Sequence, residues 1–349
     1  MGVYRPQYQL TSELLVHLET IARMQGQMQS SLHSVGDATH IYALANIDAV
    51  HFSTKLEGNT LSYEQVTRAL GGQKPKTKSQ RDLKEVLNYA KARAFLLDKA
   101  KTMDNVLVLG VHQQLVKNIL MGKLAGHYRQ SQNVIKDTGS NAIVYLPPQA
   151  DDVPGLMKSL LAWVRQSTLA KTSPLLIAPI FHYYFVTIHP FLDGNGRSTR
   201  LLTNFILEHQ GYTVAHYAAI EKQHELNRAA YYRALRRLQA PTFYDIPTDI
   251  DLTPWLNYWL GCLEKTYAEA LSRCQAAAPS DPALLELEER LQKAVGLFKK
   301  HKKLKAADYA TLLGLGRTQT VADLNKLTQL EIIQRLGGGR SAVYQIKTP

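Results

Sequence analysis

Within the twelve residues His189-Pro-Phe-Leu-Asp193-Gly-Asn195-Gly-Arg197-Ser-Thr-Arg200, the chain gathers an imidazole, a carboxylate, two glycines around an asparagine, and two arginines. An unperturbed imidazole titrates near neutrality, which makes His189 the candidate general base. Gly194-Asn195-Gly196 permits the backbone dihedrals by which successive N–H groups converge on an anion. The apolar stretch Leu201–Leu207 continues as a helix, whose positive end reinforces that anion site. Arg197 and Arg200, three apart in its first turn, offer bidentate grips for phosphate oxygens. Asp193 is a hard oxygen ligand of the kind Mg²⁺ takes alongside waters and substrate phosphates. The chemistry this set suits is attack on a nucleotide phosphate, with the leaving phosphates held by the glycine turn, the arginines and the ion. Singly, Asp-Gly-Asn-Gly is an ordinary turn and a histidine before proline is structural. No structural need calls for all of them together.

The string resembles the signature His-x-Phe-x-(Asp/Glu)-Gly-Asn-Gly-Arg-x-x-Arg of Fic-domain proteins at every specified position, and the resemblance runs over about residues 40–240. It includes Gly126-His-Tyr128-Arg129, the lead into a hairpin that in the family is a flap aligning the target segment. What the resemblance implies is a mainly α fold, a helical bundle with the motif on a loop-to-helix turn and a short β-hairpin flap. The implied activity is that of a protein adenylyltransferase, moving AMP from ATP to a protein hydroxyl. By position, His189 would deprotonate the target Tyr, Thr or Ser and Asp193 would hold Mg²⁺. Gly194, Asn195 and Gly196 would cradle the phosphates, Arg197 would contact the phosphate chain, and Arg200 the γ-phosphate. A kinase branch carries Ala and Lys at the two glycine positions, so two glycines favour nucleotidyl transfer.

Ser53-Thr-Lys-Leu-Glu57-Gly58 is similar to the family's inhibitory motif (Ser/Thr)-x-x-x-Glu-(Gly/Asn). There the glutamate pairs with the second motif arginine, here Arg200, and neutralises charge that ATP needs; the resemblance also connects it with removal of AMP. Taken alone, Thr54-x-x-Glu57 is a capping-box pattern. The segment Glu225–Leu235, with Asn227, Tyr231 and Tyr232, resembles the part of the family that lines an adenine pocket, although core packing of a tyrosine fits as well. The family leans toward a homodimer.

Helical periodicity must position these groups. It predicts helices over about 12–28, 41–54, 62–70, 80–101, 105–120, 153–166, 175–186, 198–209, 224–238, 254–273 and 282–300. Ser62-x-x-Gln65 reads as a capping box, and Asp281-Pro282 as a helix start. Between Tyr128 and Leu146, β-branched pairs flank the turn residues 136–141, which predicts the hairpin. The expected domains are 1–110, an N-terminal helical region with the inhibitory helix near 53–58; 111–240, the catalytic core; 241–281, a connecting helix and linker; and 282–349, a winged-helix-like domain.

The chain has 349 residues, 45% of them apolar, and a net charge of +12. That composition excludes a disordered or fibrous chain, and no apolar run reaches the length of a membrane span. The first 30 residues lack the pattern of a secretory signal. Cys262 and Cys274 form neither a disulfide framework nor a zinc knuckle, which points to buried thiols and a cytoplasmic chain. Residues 293–349 hold eleven Lys/Arg against three acids, so +8 of the +12 belongs to the tail. There Leu304–Leu313, Gly314-Leu-Gly316 and Thr318–Leu330 have helix-turn-helix proportions, followed by two strands, and the whole resembles a winged helix. A recognition helix would offer DNA Arg317, Thr318, Gln319, Thr320 and Lys326, with Arg340 on the wing. A dimerisation or docking module with a solvated basic helix end is the alternative. The resemblance thus implies an ATP- and Mg²⁺-dependent transferase acting on a protein hydroxyl, with a nucleotide-sensing DNA-binding regulator as the alternative.

Overall fold

The computed structural model describes residues 4–32, 38–97, 102–136, 143–239, 250–277, most of 290–329, 332–337 and 342–346. It divides into two compact units, Met1–Met28 with Thr39–Cys274, and Gln29–Ala38 with Gln275–Pro349. The fold is mainly α with a short β flap.

The first unit is organised around helix α7 (Pro174–Ile188). Apolar on every side, it is buried throughout Leu175–Phe185, as a helix without a polar face must be. Proline opens it at a position where the missing N–H costs nothing. One short loop later, α8 (Asn195–His209) returns against α7, and α6 (Val153–Leu169) lies on its other side. Helices α2 (Thr39–Leu56), α4 (Gln80–Leu96) and α5 (Asn105–Leu115) pack on α8, bringing three distant stretches of chain to the motif. The short α3 (Tyr63–Leu70) carries the expected capping box: Gln65 N donates to Ser62 Oγ, and Ser62 N to the Gln65 side chain. Helix α1 (Ser12–Leu32) completes the N-terminal part.

Several boundaries differ from the sequence reading. α4 and α5 stop at Leu96 and Leu115, short of 101 and 120. The single helix expected over 224–238 is two, α9 (Ile220–Leu226) and α10 (Arg228–Arg236), broken at Asn227 with φ −130° and ψ 55°. The segment expected to be a connector contains α11 (Thr253–Ala277), which is core of the first unit. Its Trp255 and Trp259 are fully buried, and Trp255 Nε1 donates to the Pro179 carbonyl at 2.7 Å. Burying two indoles and their neighbours anchors it more firmly than a linker needs. Cys262 and Cys274, both on α11, are free and buried. No described helix is long and apolar enough to cross a membrane.

The hairpin is present as β1 (Ile135–Lys136) and β2 (Ile143–Tyr145), antiparallel, with Ile135 opposite Tyr145 and a bulge beside it. The rest of its turn lies outside the described residues. A two-stranded ribbon is marginal alone, and this one is held at its base, as described below.

In the second unit, β3 (Lys303–Lys305) precedes α12 (Ala306–Leu313) and α13 (Arg317–Gln329), and β4 (Ile333–Leu336) and β5 (Val343–Ile346) follow. The antiparallel sheet has the order β3-β5-β4 over a core that includes Phe298, Leu304, Tyr309, Leu324, Leu327 and Ile333. Leu304, expected to open a helix, is instead the inward residue of a three-residue strand. Asp323 is buried and held by Arg290 Nε and Nη2 at 2.8 and 2.9 Å and by the Tyr309 hydroxyl. On α13, Arg317, Thr318, Gln319 and Lys326 are exposed. Thr320 is not; it is buried and its hydroxyl donates to the Gly316 carbonyl, so it leaves the set of candidate DNA contacts. Arg340 and Pro282 lie outside the described residues.

Candidate active site

The motif is the turn between α7 and α8. His189 ends α7 with a left-handed backbone (φ +51°), its N–H bonded to the Phe185 carbonyl. Gly194 (φ +81°) opens α8 from the same rare region, where a side chain would be strained. Between them Phe191 is buried, and the His112 ring of α5 stacks on it with centroids 3.7 Å apart and planes 2° apart. Because His112 Nδ1 accepts from the Gly126 N–H, its Nε2 carries the proton and donates to the Asp193 carbonyl at 3.1 Å. Burial lowers the His112 pKa to about 4, so it is a neutral clamp between the flap lead and the motif loop.

Asn195, expected among the phosphate-cradling residues, has another task. Its Oδ1 accepts from Phe191 N and its Nδ2 donates to Phe191 O, both at 2.8 Å. The amide closes the motif loop with both ends of its side chain, leaving the glycines on either side to shape the backbone. Arg129 fixes the flap to the same loop. Its N–H donates to the Pro190 carbonyl and its Nε to the His189 carbonyl, each at 2.9 Å, while its Nη2 reaches Pro148 O. Asn133 Nδ2 adds a bond to Phe191 O.

His189 lines a cavity of about 1090 Å³ together with Gly196, Arg200, Glu57, Tyr231 and Tyr232, and with Ile135 of the flap. Desolvation lowers its pKa to about 4. Its Nδ1 lies 3.3 Å from the Val186 carbonyl, which can only accept. The proton therefore sits on Nδ1, and Nε2 keeps a lone pair at neutral pH.

Arg200 is buried at the cavity wall. Nε donates to Ser53 Oγ at 2.8 Å, and Nη2 donates to Ser53 O at 2.9 Å and to Glu57 Oε1 at 2.8 Å. Burial works against its charge, and the Glu57 carboxylate outweighs that, so the guanidinium pKa lies above its ordinary value. Glu57 directly follows the last residue of α2. Gly58, at φ +91°, lets Asn59 N bond back to Thr54 O while Gly58 N bonds to Lys55 O, a Schellman closure. Thr54 is thus inside a helix end, its hydroxyl donating to Val50 O, and the capping-box reading of Thr54-x-x-Glu57 is excluded. A carboxylate at a helix C-terminus is unfavourable on its own. Here it faces Arg200 and the start of α8. A methyl group on Gly196 would lie 2.1 Å from Glu57 Oε1, so glycine is the residue that admits this carboxylate.

The structure places the other predicted residues unevenly. Tyr231 and Tyr232 both line the cavity; Tyr231 is buried with its hydroxyl 3.0 Å from His182 Nε2, and the Tyr232 hydroxyl donates to Leu56 O. Asn227 does not join them. Its Oδ1 caps α10 by accepting from Ala230 N at 3.2 Å, so the amide expected to read a base edge is committed to the backbone. Arg197 is buried and paired with Asp193 at 2.8 Å, with Glu85 Oε1 3.6 Å away, and its Nε and Nη1 have no hydrogen-bond partner among the described residues. Asp193 is gripped from outside the motif as well, by Arg81 Nη2 at 2.7 Å. Arg81, Glu85 and His112 were not signalled by the sequence, since each sits within an ordinary helical pattern. Among the described residues no three His, Cys, Asp or Glu form a metal cage. A cation at Asp193 would therefore complete its shell from water and substrate oxygens, which suits Mg²⁺.

Comparison with known proteins points to one family. A sequence model of the Fic/DOC family matches residues 102–207. The chain is 28% identical over 271 residues to "Protein adenylyltransferase Fic" of Aedes aegypti, covering 74% of this chain and 49% of that protein. The chain thus spans about half the length of the curated relatives it matches. A crystal structure of a Fic family protein from Desulfovibrio desulfuricans G20 superposes with a TM-score of 0.68 and 26% identity over 99% of both chains. A Fic domain containing signalling protein from Bacteroides thetaiotaomicron gives 0.63 and 22%, over 74% of this chain and 98% of that one, and shows the common fold. Residues 102–207 match the Fic/DOC family, and the chain as a whole is similar to Fic-family proteins in sequence and fold.

Proposed function

We propose that the protein is an adenylyltransferase that moves AMP from ATP to a Tyr, Thr or Ser hydroxyl of a target protein, and that Glu57 holds it in an inhibited state. The observation that carries the proposal is the meeting of His189, Gly196, Arg200 and Glu57 in one cavity beneath the flap. In the transfer, the target oxygen attacks the α-phosphorus and His189 Nε2 takes its proton. The bond from the α-phosphorus to the bridging oxygen breaks, and pyrophosphate leaves. The start of α8 and Arg200 are the groups suited to the departing phosphates. Mg²⁺, which Asp193 would hold, would supply further charge neutralisation along the phosphate chain. Tyr231 and Tyr232 offer aromatic surface for the base.

Inhibition follows from charge. Glu57 Oε1 sits on Arg200 and over Gly196, the position an anionic phosphate would need. The relatives named as adenylyltransferases support the activity, at modest identity. Intact-mass analysis with ATP and Mg²⁺ tests it. Glu57→Gly is expected to add one AMP to itself or to a lysate protein far faster than the parent chain, and His189→Ala in that background to add none. An AMP-release assay on the same proteins reports the reverse reaction.

A second reading makes the first unit a nucleotide sensor for a DNA-binding second unit. The exposed Arg317, Thr318, Gln319 and Lys326 on one helix, after a turn and beside a small sheet, favour it. The same experiment separates the two: a Glu57→Gly protein that binds ATP but modifies nothing favours the sensor. The proposed assembly is a homodimer.

A further inference from the structure

The Asp193 carboxylate already has cationic company on both oxygens. Oδ1 accepts from Arg197 Nη2 at 2.8 Å and from Gly194 N at 2.5 Å; Oδ2 accepts from Arg81 Nη2 at 2.7 Å. The two arginines are not equivalent. The Arg197 side chain is 3% exposed and belongs to the motif helix, whereas that of Arg81 is 62% exposed and comes from the first turn of α4. A buried pair is costly to break, while an exposed one is held weakly.

We propose that Arg81 is the resident counter-ion of Asp193, and that a divalent cation must displace it before nucleotide can bind productively. This rests on the reading of Asp193 as the ion's ligand. Mg²⁺ needs direct contact with an oxygen and close octahedral geometry. A guanidinium on that same carboxylate repels a dication and fills part of the approach. Arg81 thereby sets the Mg²⁺ concentration at which the site responds. It also has somewhere to stay when displaced, because its Nε donates to Glu85 Oε1 at 3.2 Å.

The end of α4 that carries Arg81 is not a loose surface. Asn59 Nδ2 donates to Asp82 O at 3.0 Å and to Glu85 Oε2 at 3.2 Å, and Thr60 N donates to Asp82 Oδ2 at 2.9 Å. The turn that follows Glu57 is therefore fastened to the helix end that presents Arg81. Arg200 and Asp193, the two motif groups that face phosphate and cation, are each covered by a side chain from outside the motif, and the two covers share one anchorage.

The test is calorimetric binding of α,β-methylene-ATP (AMPCPP), whose α–β bridge cannot be cleaved, to the full chain carrying Glu57→Gly, across a Mg²⁺ series with EDTA as the zero point. Adding Arg81→Gln is expected to lower the Mg²⁺ concentration for half-maximal binding by about two- to fivefold, the range an exposed ion pair allows, with affinity at saturating Mg²⁺ unchanged. Arg81→Lys, which keeps a cation there, is expected to shift it less. An unchanged Mg²⁺ midpoint in Arg81→Gln overturns the proposal and leaves the transferase reading intact. So does weaker binding at every Mg²⁺ concentration, which would make Arg81 a phosphate ligand. If Asp193→Asn keeps the full Mg²⁺ dependence, or AMPCPP does not bind at all, the metal or nucleotide reading falls and this proposal with it.

Discussion

Both ends of the Asn195 side chain bond to the backbone of Phe191, so removing that side chain orphans a buried donor and a buried acceptor together. Asn195→Ala is expected to destabilise the fold by about 2–4 kcal/mol, and Asn195→Asp, which sets a buried carboxylate oxygen against the Phe191 carbonyl, by at least as much. Denaturant midpoints of the two variants check the order. A phosphate-cradling role for the amide predicts the opposite pattern, lost ATP binding at unchanged stability. The residue types of the motif were legible because the chemistry is written within twelve consecutive positions. Arg81 and Glu85 were not, because their roles arise from a helix brought in from more than a hundred residues away.

At the scale of elements, the break between α9 and α10 decides what Asn227 does. Its side chain stabilises the new helix start, so Asn227→Ala is expected to lower stability by about 1 kcal/mol. Nucleotide affinity in the Glu57→Gly background is expected to stay unchanged, and thermal melts beside calorimetry check both halves. Periodicity alone continued one helix through this point, because the apolar spacing of the two pieces nearly matches. An asparagine ahead of a periodic run was the available signal. The flap was legible from its β-branched pairs and turn residues, but its anchorage was not. Arg129 reaches three carbonyls that only the folded chain assembles.

The whole molecule keeps several imidazoles neutral by burial. The pKa values of His112 and His189 are lowered to about 4 and that of His224 to about 3, desolvation being the largest cause in each. In the unfolded chain these groups titrate near 6.5, so between 6.5 and 4 the unfolded state binds more protons and stability falls with falling pH. Going from pH 7 to pH 5 is expected to cost on the order of 2 kcal/mol for each of His112 and His189. Urea unfolding at the two pH values measures it; a midpoint that does not move would show that these rings are protonated in the folded protein. Because burial holds the His189 pKa near 4, the proposed transfer by Glu57→Gly is expected to persist below pH 6.5 for as long as the fold does.

The local make-up of the candidate site was legible in the sequence: the histidine, the glycine turn, the two arginines and the helix that follows them depend on neighbours along the chain, and neighbours are what a sequence displays. The charge of the tail and the glutamate–glycine pair at 57 and 58 belong to the same class. The tertiary structure decided what each side chain is bonded to. Glu57 meets Arg200 across 143 positions, and Arg81 meets Asp193 across 112. Such pairings are fixed by how helices pack, and packing is set by the sum of many apolar contacts that no single motif records.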